Sequence, residues 1–124
     1  RGGEMPKRIL VCGDRNWRDY LPIAREIINQ MPTPNTVIIH GACRGADTLA
    51  AHVAGWLGLR VESYPAQWQK YGKGAGPIRN QQMLDEGKPD LVLAFHPNLA
   101  HSKGTKDMVK RARKARIEVR VFTE

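Results

Sequence analysis

Val37-Ile38-Ile39-His40-Gly41-Ala42-Cys43-Arg44-Gly45-Ala46-Asp47 is an apolar, β-branched run broken by Gly-x-x-x-Gly and followed at once by a helical pattern. Glycine at such a junction lets the backbone turn sharply and lets a ligand come close to the main chain. A second stretch, Gly74-Ala75-Gly76-Pro77-Ile78-Arg79-Asn80, starts a helix with Gly-Pro and puts a guanidinium and a carboxamide in its first turn. Both suit an anion-binding crevice built at helix N-termini, so together they predict a phosphate-bearing ligand.

Working outward, short apolar runs alternate with helical patterns along the chain. Arg8-Ile9-Leu10-Val11-Cys12 reads as a buried strand stopped by Gly13. Asp19 caps a helix to about Met31, with Leu21, Ala24, Ile27, Ile28 and Met31 as its apolar face. Pro32-Thr33-Pro34-Asn35 is a turn, and Thr36 to His40 is the second strand. From Gly45 the positions Ala46, Leu49, Ala50, Val53, Ala54 and Leu57 form one stripe, closed by Gly58 as an αL cap. Arg60 to Tyr64 is a third strand, and Pro65 to Gly76 a long loop. Pro77 begins the next helix at its first position, where a missing N–H costs nothing. Asp90 to Phe95 is a strand buried on both faces, and a loop from His96 to Lys103 leads into a helix from about Gly104 to Ala115. Ile117 to Phe122 closes the pattern. The order βαβαβαβαβ predicts an α/β fold, one open parallel sheet of about five strands with helices on both faces. A single domain from 7 to 122 accounts for it.

Composition narrows the class. Two distant cysteines, Cys12 and Cys43, form no metal or redox motif, and Cys12 reads as a buried free thiol. No signal peptide and no membrane-length apolar stretch is legible, so no membrane partner and a reduced, cytoplasmic location are expected. Arg1 to Glu4, ahead of Met5, read as a leader left by expression. The net charge of +8 favours polyanions, and Lys103, Lys106, Lys110, Arg111, Arg113, Lys114 and Arg116 crowd the last helix. A solvated helix face is the simpler reading of that cluster, and a nucleic-acid-facing helix the other.

In an open α/β sheet, ligands bind beyond the carboxyl ends of the strands, where strand order reverses. Gly13 to Trp17, Gly41 to Asp47 and the loop ending at Gly104-Thr105 follow strands one, two and four. With strand one central, these and Arg79-Asn80 converge on one crevice. Gly41, Gly45 and Gly104 would bring backbone N–H groups to an anion. Arg79 would grip phosphate bidentately, and Arg44 or Arg15 would add a second cation. Trp17, Trp68 or Tyr71 would stack on a base, and Thr105 offers a hydroxyl. His40, His52, His96 and His101 show no metal-ligand spacing, so neither a metal nor a bound cofactor is expected. The Gly-x-x-x-x-Gly-Lys-Ser/Thr phosphate loop is absent.

Ile9 to Arg15, His40 to Asp47, Pro65-Ala66-Gln67-Trp68 and Lys70 to Asn80 together resemble the YspA (cpYpsA-related) family of the SLOG superfamily. That superfamily is named for the SMF/DNA-processing protein A and LONELY GUY groups, and members of this family occur in bacteria and their phages. The resemblance implies a Rossmann-like fold and a pocket for nucleotides or nucleotide-derived ligands: nucleoside monophosphate, NAD or ADP-ribose. It implies that Gly13, Arg15, Gly41, Arg44, Gly45, Asp47, Arg79, Asn80, Gly104 and Thr105 line that pocket. By analogy it also implies a homodimer through exposed helix faces. LONELY GUY enzymes cleave the base from nucleoside monophosphates with a Gly-Thr-x-x-Glu motif; here Gly104-Thr105-Lys106-Asp107-Met108 puts methionine in the glutamate position. Asp107 lies about 100° round the helix and is expected to point elsewhere. An enzyme of this sequence would be an N-glycosidic hydrolase or transferase using Asp14 or Asp47. Sensing of the nucleotide and single-stranded nucleic-acid binding are the readings without catalysis.

Overall fold

The computed structural model describes residues 7–124. Arg1 to Glu4, read from the sequence as a leader, lie outside the described residues. Strands β1 (Arg8–Gly13), β2 (Val37–His40), β3 (Arg60–Ser63), β4 (Leu91–Phe95) and β5 (Glu118–Phe122) form one all-parallel sheet in the order β3-β2-β1-β4-β5. Helices α1 (Tyr20–Asn29), α2 (Ala46–Trp56), α3 (Trp68–Tyr71), α4 (Ala75–Gly87) and α5 (Gly104–Lys114) connect them, with 3₁₀ turns at Gly72–Gly74 and Leu99–His101. The result is the open, Rossmann-like α/β sheet that the alternating pattern predicts.

The strand alternation decides which side chain meets which helix. Ile9 and Val11 of β1 pack with Ile23 and Ile27 of α1 and Val53 of α2. Leu10 and Cys12, pointing the other way, pack with Met83 of α4 and Met108 of α5. Right-handed crossovers require this division, because the chain steps outward from β1 to β3 and then returns to β4 and β5. Each fully buried Ile or Leu contributes about 1.5–3 kcal/mol, so β1 and β4, buried along their length, make a stiff floor. The reversal of strand order falls between β1 and β4, and their carboxyl ends, Gly13 and Phe95, lie side by side there.

Two local readings are corrected. Helix α4 starts at Ala75, not Pro77, because the 3₁₀ turn at Gly72–Gly74 already winds the chain into it. Pro77 is its third residue, still among the first-turn positions whose N–H has no helical acceptor. On α1 the buried side chains are Pro22, Ile23 and Ile27, whereas Leu21, Ile28 and Met31 are exposed. Its apolar arc is wider than the strip that the sheet covers. The predicted ends hold: Asp19 accepts from the Leu21 N–H at 3.0 Å, and Gly58 (φ +70°) closes α2. At that end Gly58 donates to the Gly55 carbonyl and Leu59 to the Ala54 carbonyl, as a Schellman cap requires.

Candidate functional site

A crevice of about 900 Å³ opens at the reversal of strand order, at the large end of the range for small-ligand sites. The loops after β1, β2 and β4 and the start of α4 surround it. Of the residues expected there, Gly13, Asp14, Arg15, Arg44, Asp47, Arg79, Asn80, Gly104 and Thr105 line it. Trp17 and Gly45 instead line a neighbouring hollow with Asn16 and Leu49. Trp17 anchors its loop: its ring meets Phe95 edge-on with centroids 5.7 Å apart, and its indole N–H donates to the Asp19 carbonyl. Gly41 is buried beneath the wall, under Arg79.

The glycines serve the protein's own packing as much as any ligand. A Cβ on Gly13 would meet the Phe95 carbonyl oxygen, and one on Gly45 would meet the backbone of Asp14 and Arg15. Gly45 also needs φ +85°, which L side chains rarely adopt. A Cβ on Gly41 would fall 2.5 Å from Arg79 Nη1.

Arg79 and Asp47 grip the turn between β2 and α2 from opposite sides. The Arg79 guanidinium donates to the carbonyls of Gly41 and Tyr64, to Asn80 Oδ1 and to Cys43 Sγ. The side chain is thus buried in the fold and ties the ends of β2 and β3 together. Asp47 Oδ2 accepts from the Gly41 N–H at 2.8 Å and from the Cys43 N–H at 3.4 Å. Burial pushes the Asp47 carboxyl up to about 6, against the opposing pull of those N–H groups and of Arg79. His40 Nδ1 accepts from the Ala42 N–H; burial and the neighbouring Arg79 charge hold its pKa below the usual histidine value. Cys12 is kept as a thiol by burial and by the charge of Asp47.

The N–H groups of Gly41, Ala42, Cys43 and Ala46 already bond to Asp47, His40, Asp47 and the Asp14 carbonyl. At the start of α5, Ser102 Oγ accepts from Thr105 and Lys106. The donors left facing the crevice are chiefly side chains: Arg15, Arg44, Lys73 and Lys103, all exposed at its rim. Among the described residues none of these four pairs with a carboxylate.

Sequence reasoning passed over Lys73, Lys103, the loop histidines His96 and His101, and Asp107 as lining residues. Asp107 does reach the crevice: it accepts from Asn80 Nδ2 at 3.0 Å and pairs with Arg111 Nε at 2.8 Å. The opening is wide enough for neighbouring helix positions to share it, so a 100° step does not remove Asp107. Met108 is buried against Leu10 and Cys12. Asp14 accepts from the Asn16 N–H. Among the described residues no group of three or more His, Cys, Asp or Glu side chains is placed to hold a metal ion, and no helix is long and apolar enough to cross a membrane.

A sequence model of the family described as YspA, cpYpsA-related SLOG matches residues 7–71. The Gene 61 protein of Mycobacterium phage D29 is 34% identical over 122 residues, covering 91% of this chain and 94% of its own length. The match takes in β1, β2, the Asp47-bearing turn and α3, which is the half of the fold that builds one wall of the crevice. The chain belongs to the YspA, cpYpsA-related SLOG family.

Proposed function

We propose that the crevice at the β1–β4 junction binds a small nucleotide derivative, and that binding rather than cleavage is its task. The observation carrying this reading is the set of four exposed cations at the rim of a crevice of about 900 Å³, none of them paired with a carboxylate of the described residues. Cations held by four separate segments favour a phosphate-bearing ligand, and Trp68, exposed at the same rim, offers a face for a base. The carboxylates of the crevice support binding over N-glycoside hydrolysis: Asp14, Asp47 and Asp107 are each engaged by protein donors. The test is thermal unfolding against nucleoside monophosphates, NAD, ADP-ribose and cyclic dinucleotides. A ligand at about one hundred times its Kd adds about 2.7 kcal/mol, so the midpoint should rise by several degrees with one class. A flat response across the panel would sink the reading.

One observation favours a second reading. Lys106, Lys110, Arg113, Lys114 and Arg116 are exposed on or just after α5, and none pairs with a carboxylate of the described residues. Such a face attracts single-stranded nucleic acid. Affinity for an oligonucleotide should then fall steeply with salt, and neutralising Lys110, Arg113 and Lys114 should flatten that slope. Salt-independent binding would exclude it.

A further inference from the structure

Helix α4 touches both β2 and α5, and two consecutive residues on it reach opposite walls of the crevice. Arg79 donates to the carbonyls of Gly41 and Tyr64, at the ends of β2 and β3. Asn80 turns the other way: Nδ2 donates to the Gly104 carbonyl at 3.2 Å and to Asp107 Oδ2 at 3.0 Å, both at the start of α5. Between them, Arg79 Nε donates to Asn80 Oδ1 at 3.1 Å. The bonds continue outward, since Arg111 Nε donates to the same Asp107 oxygen and Arg111 Nη1 to Gln81 Oε1, back on α4.

The partners fix the orientation of the Asn80 amide. A cation stands at its oxygen, and a carboxylate and a carbonyl stand at its nitrogen, so its dipole lies along the field from Arg79 to Asp107. A carboxamide has two N–H donors, and both are used. Asn80 is buried, and although it borders the crevice it keeps no N–H to offer a ligand. We infer that Asn80 is a positioning residue: through Arg79 it ties the start of α5 to the β2–α2 turn, and so sets how the two walls stand before any ligand arrives. Arg44 rides on the first wall, and Lys103 and Thr105 on the second. The groups that meet a ligand are thus placed by a side chain that does not donate to it. The inference goes beyond the nucleotide reading and does not depend on it.

Amide hydrogen exchange of the ligand-free protein tests the bridge. The N–H groups of Thr105 and Lys106, both bonded to Ser102 Oγ, report on the start of α5, and those of Leu10 and Val92 on the centre of the sheet. In Asn80→Ala the first pair should exchange about tenfold faster relative to the second, the worth of a hydrogen bond to a charged group. Asn80→Asp should loosen that wall at least as much, because a second carboxylate then faces Asp107. The double variant Asn80→Asp with Asp107→Asn restores the pairing with donor and acceptor exchanged, and should return the wall to within about threefold of native. Should Asn80→Asp fail to fold, folding of the exchanged pair is itself the rescue. Native exchange at Thr105 and Lys106 in Asn80→Ala, or an exchanged pair no better than Asn80→Asp in folding or in exchange, overturns the inference. A flat response of the native chain to nucleotides would bear on the ligand alone and leave the bridge between the walls standing.

Discussion

Gly41 and Gly104 open the two walls of the same crevice, one beneath the β2–α2 turn and the other at the start of α5. In sequence they look alike, each a glycine between a strand or loop and a helix. In the fold they do opposite things. The space that a Gly41 side chain would fill holds the Arg79 guanidinium, and the turn around it is a closed polar network. Gly104 is exposed, and a Cβ there would meet nothing within 4 Å. Both walls carry internal hydrogen bonds, Asn80 donating to the Gly104 carbonyl and to Asp107 on the α5 side; what differs is that the space beside Gly41 is filled and the space beside Gly104 is empty. A ligand therefore meets a filled surface at Gly41 and free space beside Gly104.

Removing Arg79 should break the contrast most severely. Arg79→Ala strands the buried carbonyls of Gly41 and Tyr64 and leaves a hole in the wall. Each orphaned acceptor costs about 1–3 kcal/mol, so a loss of about 4 kcal/mol is expected, read as a fall in the urea midpoint. A loss below about 1 kcal/mol would mean that the guanidinium does not hold the turn.

Asp47 supplies the next effect, through pH. Its folded carboxyl is raised from 3.8 to about 6, so the folded state binds the proton more tightly than the unfolded chain. Its contribution to stability is therefore present at about pH 4 and is lost as the pH rises through 6, by up to about 3 kcal/mol. His40 acts in the opposite sense, since a lowered folded pKa loses stability as the pH falls below about 6.5. Comparing Asp47→Asn with the native chain cancels the histidine. The variant's stability relative to native should climb between pH 4 and pH 7, and a flat difference would place the carboxyl at its ordinary value.

Gly41→Ala follows at about 2 kcal/mol, the usual scale for forcing a methyl into a filled space. Its thermal midpoint should fall by several degrees. A double variant with Arg79→Ala should lose much less than the sum, because the methyl then enters vacated space. Strict additivity would show that the two do not compete for one position.

The alternation of strands and helices follows from local signals: apolar runs, caps at Asp19 and Gly58, and glycines at strand ends. The strand order does not, and the crevice falls where it was expected because β1 is in fact central. Nor does the role of Arg79 follow from them. The Gly-Pro pair places it in a first turn, free for a ligand; the earlier helix start at Ala75 carries it into the second turn, against the carbonyl of Gly41, 38 residues away. No periodicity encodes such a contact. Asp107 was hidden for a different reason, since helical angle says where a side chain leaves the axis and not how broad the opening before it is. The buried face of α1 is not legible in the sequence because Leu21, Ile28 and Met31 continue an apolar arc beyond the sheet's reach.

The smallest effect on stability belongs to the open wall. Gly104→Ala adds a methyl to open space at the first residue of α5, where alanine is the better helix former. Its unfolding midpoint should stay within about 0.5 kcal/mol of native, or rise slightly. Affinity for a ligand reaching the α5 wall should fall nonetheless, because the methyl stands in the space that the ligand needs. Gly41→Ala should show the reverse pattern, a stability loss that precedes any loss of binding. If Gly104→Ala altered neither stability nor affinity, the open wall would be mere surface, and the ligand would have to lie wholly against the β2 side.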